Sequence, residues 1–243
     1  MVTSLGNGFT NMMAARFLVE RTGHSIVGVV EGDDGLFQID GPLPTTEEYA
    51  ELGFNVKLEE RASVGESSFC SLIFDEELLE NVTDPCETLA RFGWSTSEKR
   101  NGGARCKMGL LRSKSLSLIY GYPCCPIIRS LGAYGLRVTE GFRSIWKERG
   151  RLEYWDAQIV KGLSDWEESL SPDIAARFKM PIDDRNRILV RDNFGVSIPD
   201  QLEIERYLDS LTKVQPLSNP AIDRCMRECW GETWDKCVSQ VML

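Results

Sequence analysis

The segment Val29-Val30-Glu31-Gly32-Asp33-Asp34-Gly35-Leu36-Phe37 constrains the fold more than any other stretch of the chain. It sets two adjacent carboxylates between two short apolar runs, residues 25–30 and 36–39. Asp-Gly flanked by such runs is among the strongest local signals for an antiparallel hairpin, because both residues tolerate the backbone geometry of tight turns. The predicted connection runs from Glu31 to Gly35. Two readings of the carboxylates stand open here. In one, Asp33, Asp34 and the glycines serve turn geometry alone. In the other, the turn is a magnesium site, since a hard cation takes oxygen ligands, commonly one or two protein carboxylates plus phosphate oxygens. Two such ions about 3.5–4 Å apart stabilise the attacking and leaving oxygens of phosphoryl transfer.

The pattern around the hairpin is mixed α/β. Upstream, Leu5, Phe9, Met12, Met13, Phe17 and Leu18 recur at helical spacing, and Gly23 marks the end of that helix. Downstream, Thr45 and Glu48 form a capping box for a short helix over 45–52, stopped by Gly53. Residues 54–58 and 67–74 read as strands. At Asp84-Pro85-Cys86-Glu87 an N-cap precedes proline at the first helical position and glutamate at the third. From there the pattern is almost wholly helical, with helices predicted over 105–120, 140–149, 184–194 (closed by Gly195), 200–211 and 221–240. The fold class is therefore α+β, with one candidate boundary near residue 80 separating 1–80 from 81–243.

Composition narrows the function classes. The 243 residues are 42% hydrophobic and 27% charged, enough for one large domain or two small ones. No apolar run reaches the roughly 18 residues that a membrane span requires, and no secretory signal pattern opens the chain. A net charge of −9 argues against polyanion binding over the whole surface. One stretch departs from that balance: residues 99–114 hold Lys99, Arg100, Arg105, Lys107, Arg112 and Lys114 and no acid. The eight cysteines read as reduced thiols of a cytosolic protein. Cys225, Cys229 and Cys237 give three soft ligands where structural zinc wants four, and the sole histidine, His24, is distant in sequence. Core thiols are the favoured reading of that trio.

The order of segments carries a resemblance. Thr3-Ser4-Leu5-Gly6-Asn7 precedes the Gly32-Asp33-Asp34 hairpin, the helix at 45–52 and Lys57 follow it, and Ser68-Phe69-Cys70-Ser71 comes next. In this order they resemble the second to fifth motifs of the palm of viral RNA-dependent RNA polymerases. Segments through Arg91-Phe92-Gly93-Trp94, Leu111-Arg112-Ser113-Lys114, Cys125-Pro126-Ile127-Ile128 and Phe194-Gly195-Val196-Ser197 are similar to the thumb of the tombusvirus-like positive-strand group. The resemblance implies a partial right-hand palm followed by a mostly α-helical thumb. It implies Mg²⁺ (or Mn²⁺) held by Asp33 and Asp34, and Lys57, with Arg61 as a rival, as general acid toward pyrophosphate. Thr3 and Asn7 would contact the incoming nucleotide, Asn7 through the ribose 2′-hydroxyl that distinguishes RNA from DNA. Phe69 and Cys70 would support the primer end, and Arg105, Lys107, Arg112 and Lys114 would meet the RNA backbone. The implied partners are RNA template and nascent strand, nucleoside triphosphates and the rest of the polymerase polypeptide, not DNA. The implied location is the host cytoplasm, with any tie to a membrane-associated replication complex made through regions outside this chain.

The same resemblance implies what the 243 residues lack. The first-motif aspartate, the Ser-Gly of the second motif and the basic finger segment would lie ahead of Met1 on a longer polypeptide. The hairpin is then expected to carry an unpaired apolar edge, a feature that promotes aggregation. Two rival readings remain: a non-catalytic fragment that binds RNA without turnover, and an α+β interaction module whose Asp-Asp hairpin is only a turn. Reverse transcriptase is disfavoured, because Glu31 stands where that family typically has an aromatic residue.

Overall fold

Residues 2–93, 103–142 and 180–231 are described by the computed structural model, and among them helices and strands combine as an α+β chain. Two units are distinguished, Met1–Leu79 and Glu80–Leu243.

The first unit opens with α1 (Val2–Glu20). Gly23, at φ +83°, takes the left-handed turn that closes it, and the N–H groups of Thr22 and Gly23 donate back to the carbonyls of Val19 and Glu20. Strands β1 (Ile26–Glu31) and β2 (Asp34–Ile39) then pair antiparallel, in register from Ile26↔Ile39 to Glu31↔Asp34. The five-residue loop expected from sequence is thereby corrected to two residues, Gly32 and Asp33. Gly32 lies at φ +59°, so glycine occupies the first central position of a tight hairpin turn, the choice that matches the right-handed twist of the strands. Among the described residues no third strand pairs with either edge of this ribbon, and Val27 is 65% exposed.

Helix α2 (Thr46–Glu51) carries the expected capping box: the Glu48 N–H donates to Thr45 Oγ1 at 3.3 Å, and the Thr45 N–H to Glu48 Oε2 at 3.0 Å. Ala14, Leu18 and Tyr49 bury against one another, with Val56 packed on them. Residues 54–58 do not form the expected strand. The Phe54 N–H turns back to the Tyr49 carbonyl, Val56 alone of the alternating apolar positions packs inward, and no ladder partner lies among the described residues. The expected strand over 67–74 is likewise cut to β3 (Ile73–Asp75), because 69–72 close on themselves in a tight turn. Periodicity placed α1 correctly, and Leu18 of the apolar set is buried, but Ala14, Ala15 and Val19 complete its buried face while Leu5 and Phe9 are 78% and 68% exposed.

The second unit holds β4 (Glu80–Val82) and helices α3 (Pro85–Arg91), α4 (Ala104–Gly121), α5 (Ile128–Val138), α6 (Asp184–Phe194), α7 (Ile198–Ser210) and α8 (Pro220–Trp230). Side-chain oxygens of Asp84, Asp183, Ser197 and Asn219 accept from the first N–H groups of α3, α6, α7 and α8, so four of these starts are written in local sequence. Gly195, at φ +71°, ends α6 as expected. Most of the helix expected over 140–149, and the part of 221–240 beyond residue 231, lie outside the described residues. Helix α5 was not anticipated. Its glycines fit close against α4: a Cβ at Gly132 would meet Ile119 Cγ1 at 2.6 Å, and one at Gly135 would meet Ser115 Oγ at 1.9 Å. Leu136 packs on Leu116 and Ile119, and the Phe92 and Tyr134 rings lie 6.3 Å apart.

A pair of substitutions tests this packing. Gly135→Ala is expected to lower stability by about 1–2 kcal/mol in urea unfolding, because overpacking outweighs the roughly 1 kcal/mol that alanine gains in a helix. Gly6→Ala, in α1 with nothing within 4 Å of the new methyl group, is expected to stabilise instead.

Candidate functional site

The hairpin tip is held by one face of α1. Ser4 Oγ donates to Glu31 Oε1 at 3.0 Å, and Asn11 Nδ2 donates to the Asp33 carbonyl at 3.1 Å. Between them Gly8 is buried, its Cβ position 3.5 Å from the Gly32 nitrogen and from Val30 Cγ2. Ser4, Gly8 and Asn11 are spaced i, i+4 and i+7, so they share a helix face, and the small middle residue lets the turn backbone come close. Sequence reasoning named none of the three as functional. The signal was present as a small and polar stripe beside the apolar Leu5 and Phe9.

Thr3 and Asn7, expected at the nucleotide, lie on the adjoining face of the same helix. Both are exposed, and neither side chain has a hydrogen-bond partner among the described residues. Asp33 and Asp34 are exposed as well, but in different settings. Asp33 is a turn residue whose carbonyl accepts from Asn11, and its carboxylate has no partner among the described residues. Asp34 begins β2, and its carboxylate lies near enough to the Cys70 thiol for its charge to help raise that thiol's pKa.

Cys70 reaches Asp34 through an unusual turn. The N–H of Phe69 donates to the Leu72 carbonyl at 3.0 Å and the N–H of Leu72 to the Phe69 carbonyl at 2.9 Å. Cys70 and Ser71 span the gap at φ +51° and +64°. Two consecutive positive φ values usually require asparagine or glycine, and forcing ordinary residues there costs about 1–3 kcal/mol each. The expectation that Phe69 and Cys70 sit on a strand is therefore corrected: Cys70 is at the head of a strained turn. Partial burial first, then the charges of Asp34 and Glu31, pushes its thiol above the ordinary value.

Lys57 and Arg61 flank Glu59 and both pair with it. The Lys57 side chain is 86% exposed, and these contacts hold the Glu59 carboxyl below its ordinary value, the hydrogen bond from Lys57 first. No contact places Lys57 at the hairpin tip among the described residues. In the second unit, Arg105, Lys107, Arg112 and Lys114 all ride on α4. At 3.6 residues per turn, the seven-residue spacing puts Arg105 with Arg112 on one face and Lys107 with Lys114 on roughly the opposite one. A phosphate backbone lying along the helix meets one pair, not all four.

Asp33 and Asp34 are hard oxygen donors suited to Mg²⁺, whereas the Cys70 thiol beside them is not. No group of three or more His, Cys, Asp or Glu that could hold a metal ion occurs among the described residues. Of the three C-terminal cysteines, Cys225 is buried as expected, Cys229 is exposed contrary to expectation, and Cys237 lies outside the described residues. No described helix is long and apolar enough to cross a membrane. No family model, curated protein or solved structure matches the chain.

Proposed function

We propose that this chain supplies the Gly-Asp-Asp portion of the palm, and the thumb, of a viral RNA-directed RNA polymerase. One observation supports the reading above the rest. The face of α1 is hydrogen-bonded to the Asp33-Asp34 hairpin at one carboxylate-bearing tip, and the Phe69–Leu72 turn brings Cys70 close enough for the Asp34 charge to act on its thiol. A turn that served geometry alone needs neither a helix packed on its backbone nor a strained second turn placed against its carboxylate.

In this reading Asp33 and Asp34 hold Mg²⁺ (or Mn²⁺), which when bound neutralises charge developing on the transferring phosphate oxygens. Ser4, Gly8 and Asn11 fix the tip, so that the carboxylates lose little freedom on meeting a cation. Thr3 and Asn7, without a side-chain partner among the described residues, hydrogen-bond the incoming nucleoside triphosphate, with the ribose 2′-hydroxyl as the group sensed. Lys57 is the proposed proton donor to pyrophosphate, after release from Glu59. Phe69 and Cys70 contact the primer end of the nascent strand, and one basic pair of α4 contacts RNA phosphates. Two-metal chemistry requires a further acidic strand, which the rest of the polymerase polypeptide supplies in the host cytoplasm.

Manganese titration of the full chain, followed by water-proton relaxation, tests the cation site. Weak binding in the millimolar range is expected, lost when Asp33→Asn and Asp34→Asn are combined and unaffected by Cys225→Ser. Relaxation that is insensitive to the paired aspartate change would leave the interaction-module reading in its place.

A further inference from the structure

Three thiols of the second unit gather where α3 meets α8, and the polymerase reading uses none of them. Cys86, in the first turn of α3, is fully buried. Cys225 and Cys229 stand one turn apart on α8, the first buried and the second exposed. Cys229 Sγ lies 3.3 Å from Cys86 Sγ, and 3.8 Å from the Phe194 carbonyl oxygen, to which it also donates. We propose that Cys86 and Cys229 form a reversible, peroxide-driven disulfide that clamps α8 to α3.

The two sulfurs divide the labour by exposure. Burial pushes the Cys86 thiol far up and the Cys225 thiol up to about 12, so neither is a ready nucleophile in the reduced protein. Cys229 alone of the three is open to a small oxidant. Its sulfur attacks one oxygen of hydrogen peroxide, the O–O bond breaks, and a sulfenic acid and one water are formed. Cys86 sulfur then attacks the Cys229 sulfur and the S–O bond breaks. The Cys86 proton leaves with the departing oxygen as a second water. Two thiols and one peroxide thus give one disulfide and two waters, with two electrons passing to the peroxide.

Proximity favours the second step despite the poor acidity of Cys86, since the reacting atoms already lie within near-attack distance. Closing from 3.3 Å to a disulfide length of about 2.05 Å is a side-chain adjustment. The bridge would span 143 residues, and long loops gain most from closure in the chain-entropy model.

The test is stoichiometric hydrogen peroxide on the reduced 243-residue chain, read by intact mass, peptide mapping under non-reducing conditions and thermal melting. The wild type is expected to lose two thiols, to yield a joined peptide containing Cys86 and Cys229, and to melt about 5–15 °C higher, all reversed by dithiothreitol. Cys229→Ser, an exposed change that leaves the core intact, is expected to abolish the link, and Cys225→Ser to leave it in place. A dominant bridge between other cysteines, or a Cys229 that stops at sulfenic or sulfinic acid while Cys86 stays free, would overturn the proposal.

Discussion

Alanine at Glu205 is expected to lower the stability of the second unit by about 3–5 kcal/mol, the largest loss of any single truncation proposed for this chain. Glu205 on α7 accepts two roughly parallel bonds from Arg187 on α6, at 3.1 and 2.9 Å, and its Oε1 also takes the N–H of Ile127 at 2.9 Å. The arginine and glutamate side chains are only 10% and 11% exposed, so water cannot replace the lost partner. Truncation leaves a buried guanidinium without its counter-charge and a buried backbone N–H without an acceptor. It also frees a strained residue, since Ile127 is fully buried at φ +66°, where β-branched residues are rarely found. Urea unfolding followed by far-ultraviolet dichroism should show a lower midpoint at unchanged slope. Glu205→Gln keeps an acceptor for Ile127 and is expected to lose less. The paired change Arg187→Met with Glu205→Leu is expected to recover most of the loss, because removing both charges also removes their desolvation. A Glu205→Ala variant within about 1 kcal/mol of wild type would show that the hub is stabilised by packing and not by charge.

That hub also marks the limit of what the amino-acid order discloses. Helix starts are legible because their causes lie within three residues: Asp84 with Pro85, Thr45 with Glu48, Asn219 with Pro220. The hairpin is legible for the same reason, though its loop read as too long because Glu31 and Asp34 are polar residues that nonetheless pair across the ribbon. Helix α5 was hidden by Gly132 and Gly135, which lower local helix propensity and are explained only by Ile119 and Ser115 on the neighbouring helix. The turn at Cys70 and Ser71 was hidden because nothing in those residue types announces positive φ; the surrounding structure imposes it. Residues 54–58 misled because an alternation of apolar and polar residues fits a strand, yet a strand also requires a partner. At the candidate site, the carboxylates and Cys70 could be named from order and resemblance. The face of α1 that grips the tip could not, since Ser4, Gly8 and Asn11 acquire meaning only once the hairpin is laid against them.

Asparagine at Asp33 is expected to reduce templated nucleotide incorporation by a thousandfold or more, once the chain is fused behind the fingers and first-motif strand of a tombusvirus-like polymerase. The reasoning turns on how the two carboxylates are engaged. The Asp34 carboxylate lies beside the Cys70 thiol, a soft group unsuited to Mg²⁺, whereas the Asp33 carboxylate has no side-chain partner among the described residues and so is the freer to meet a cation. A metal ligand contributes several kcal/mol to a phosphoryl transition state, and each ~1.4 kcal/mol is tenfold in rate. Asp34→Asn should therefore act in the same direction but less severely, about ten- to a hundredfold. On the proposed reading both losses should fall on kcat more than on KM, because nucleotide binding would retain the contacts proposed for Thr3 and Asn7 while charge stabilisation in the transition state would be removed. Asparagine matches aspartate in shape and is well tolerated in turns, so thermal melting of either variant should stay near wild type. On the polymerase reading, the 243-residue chain on its own is expected to incorporate no nucleotide with Mg²⁺ or Mn²⁺, since two-metal chemistry would need acidic ligands beyond Asp33 and Asp34. Full activity of an Asp33→Asn fusion would remove these carboxylates from the chemistry. Templated synthesis by the chain alone would instead refute the claim that its acidic partner comes from elsewhere.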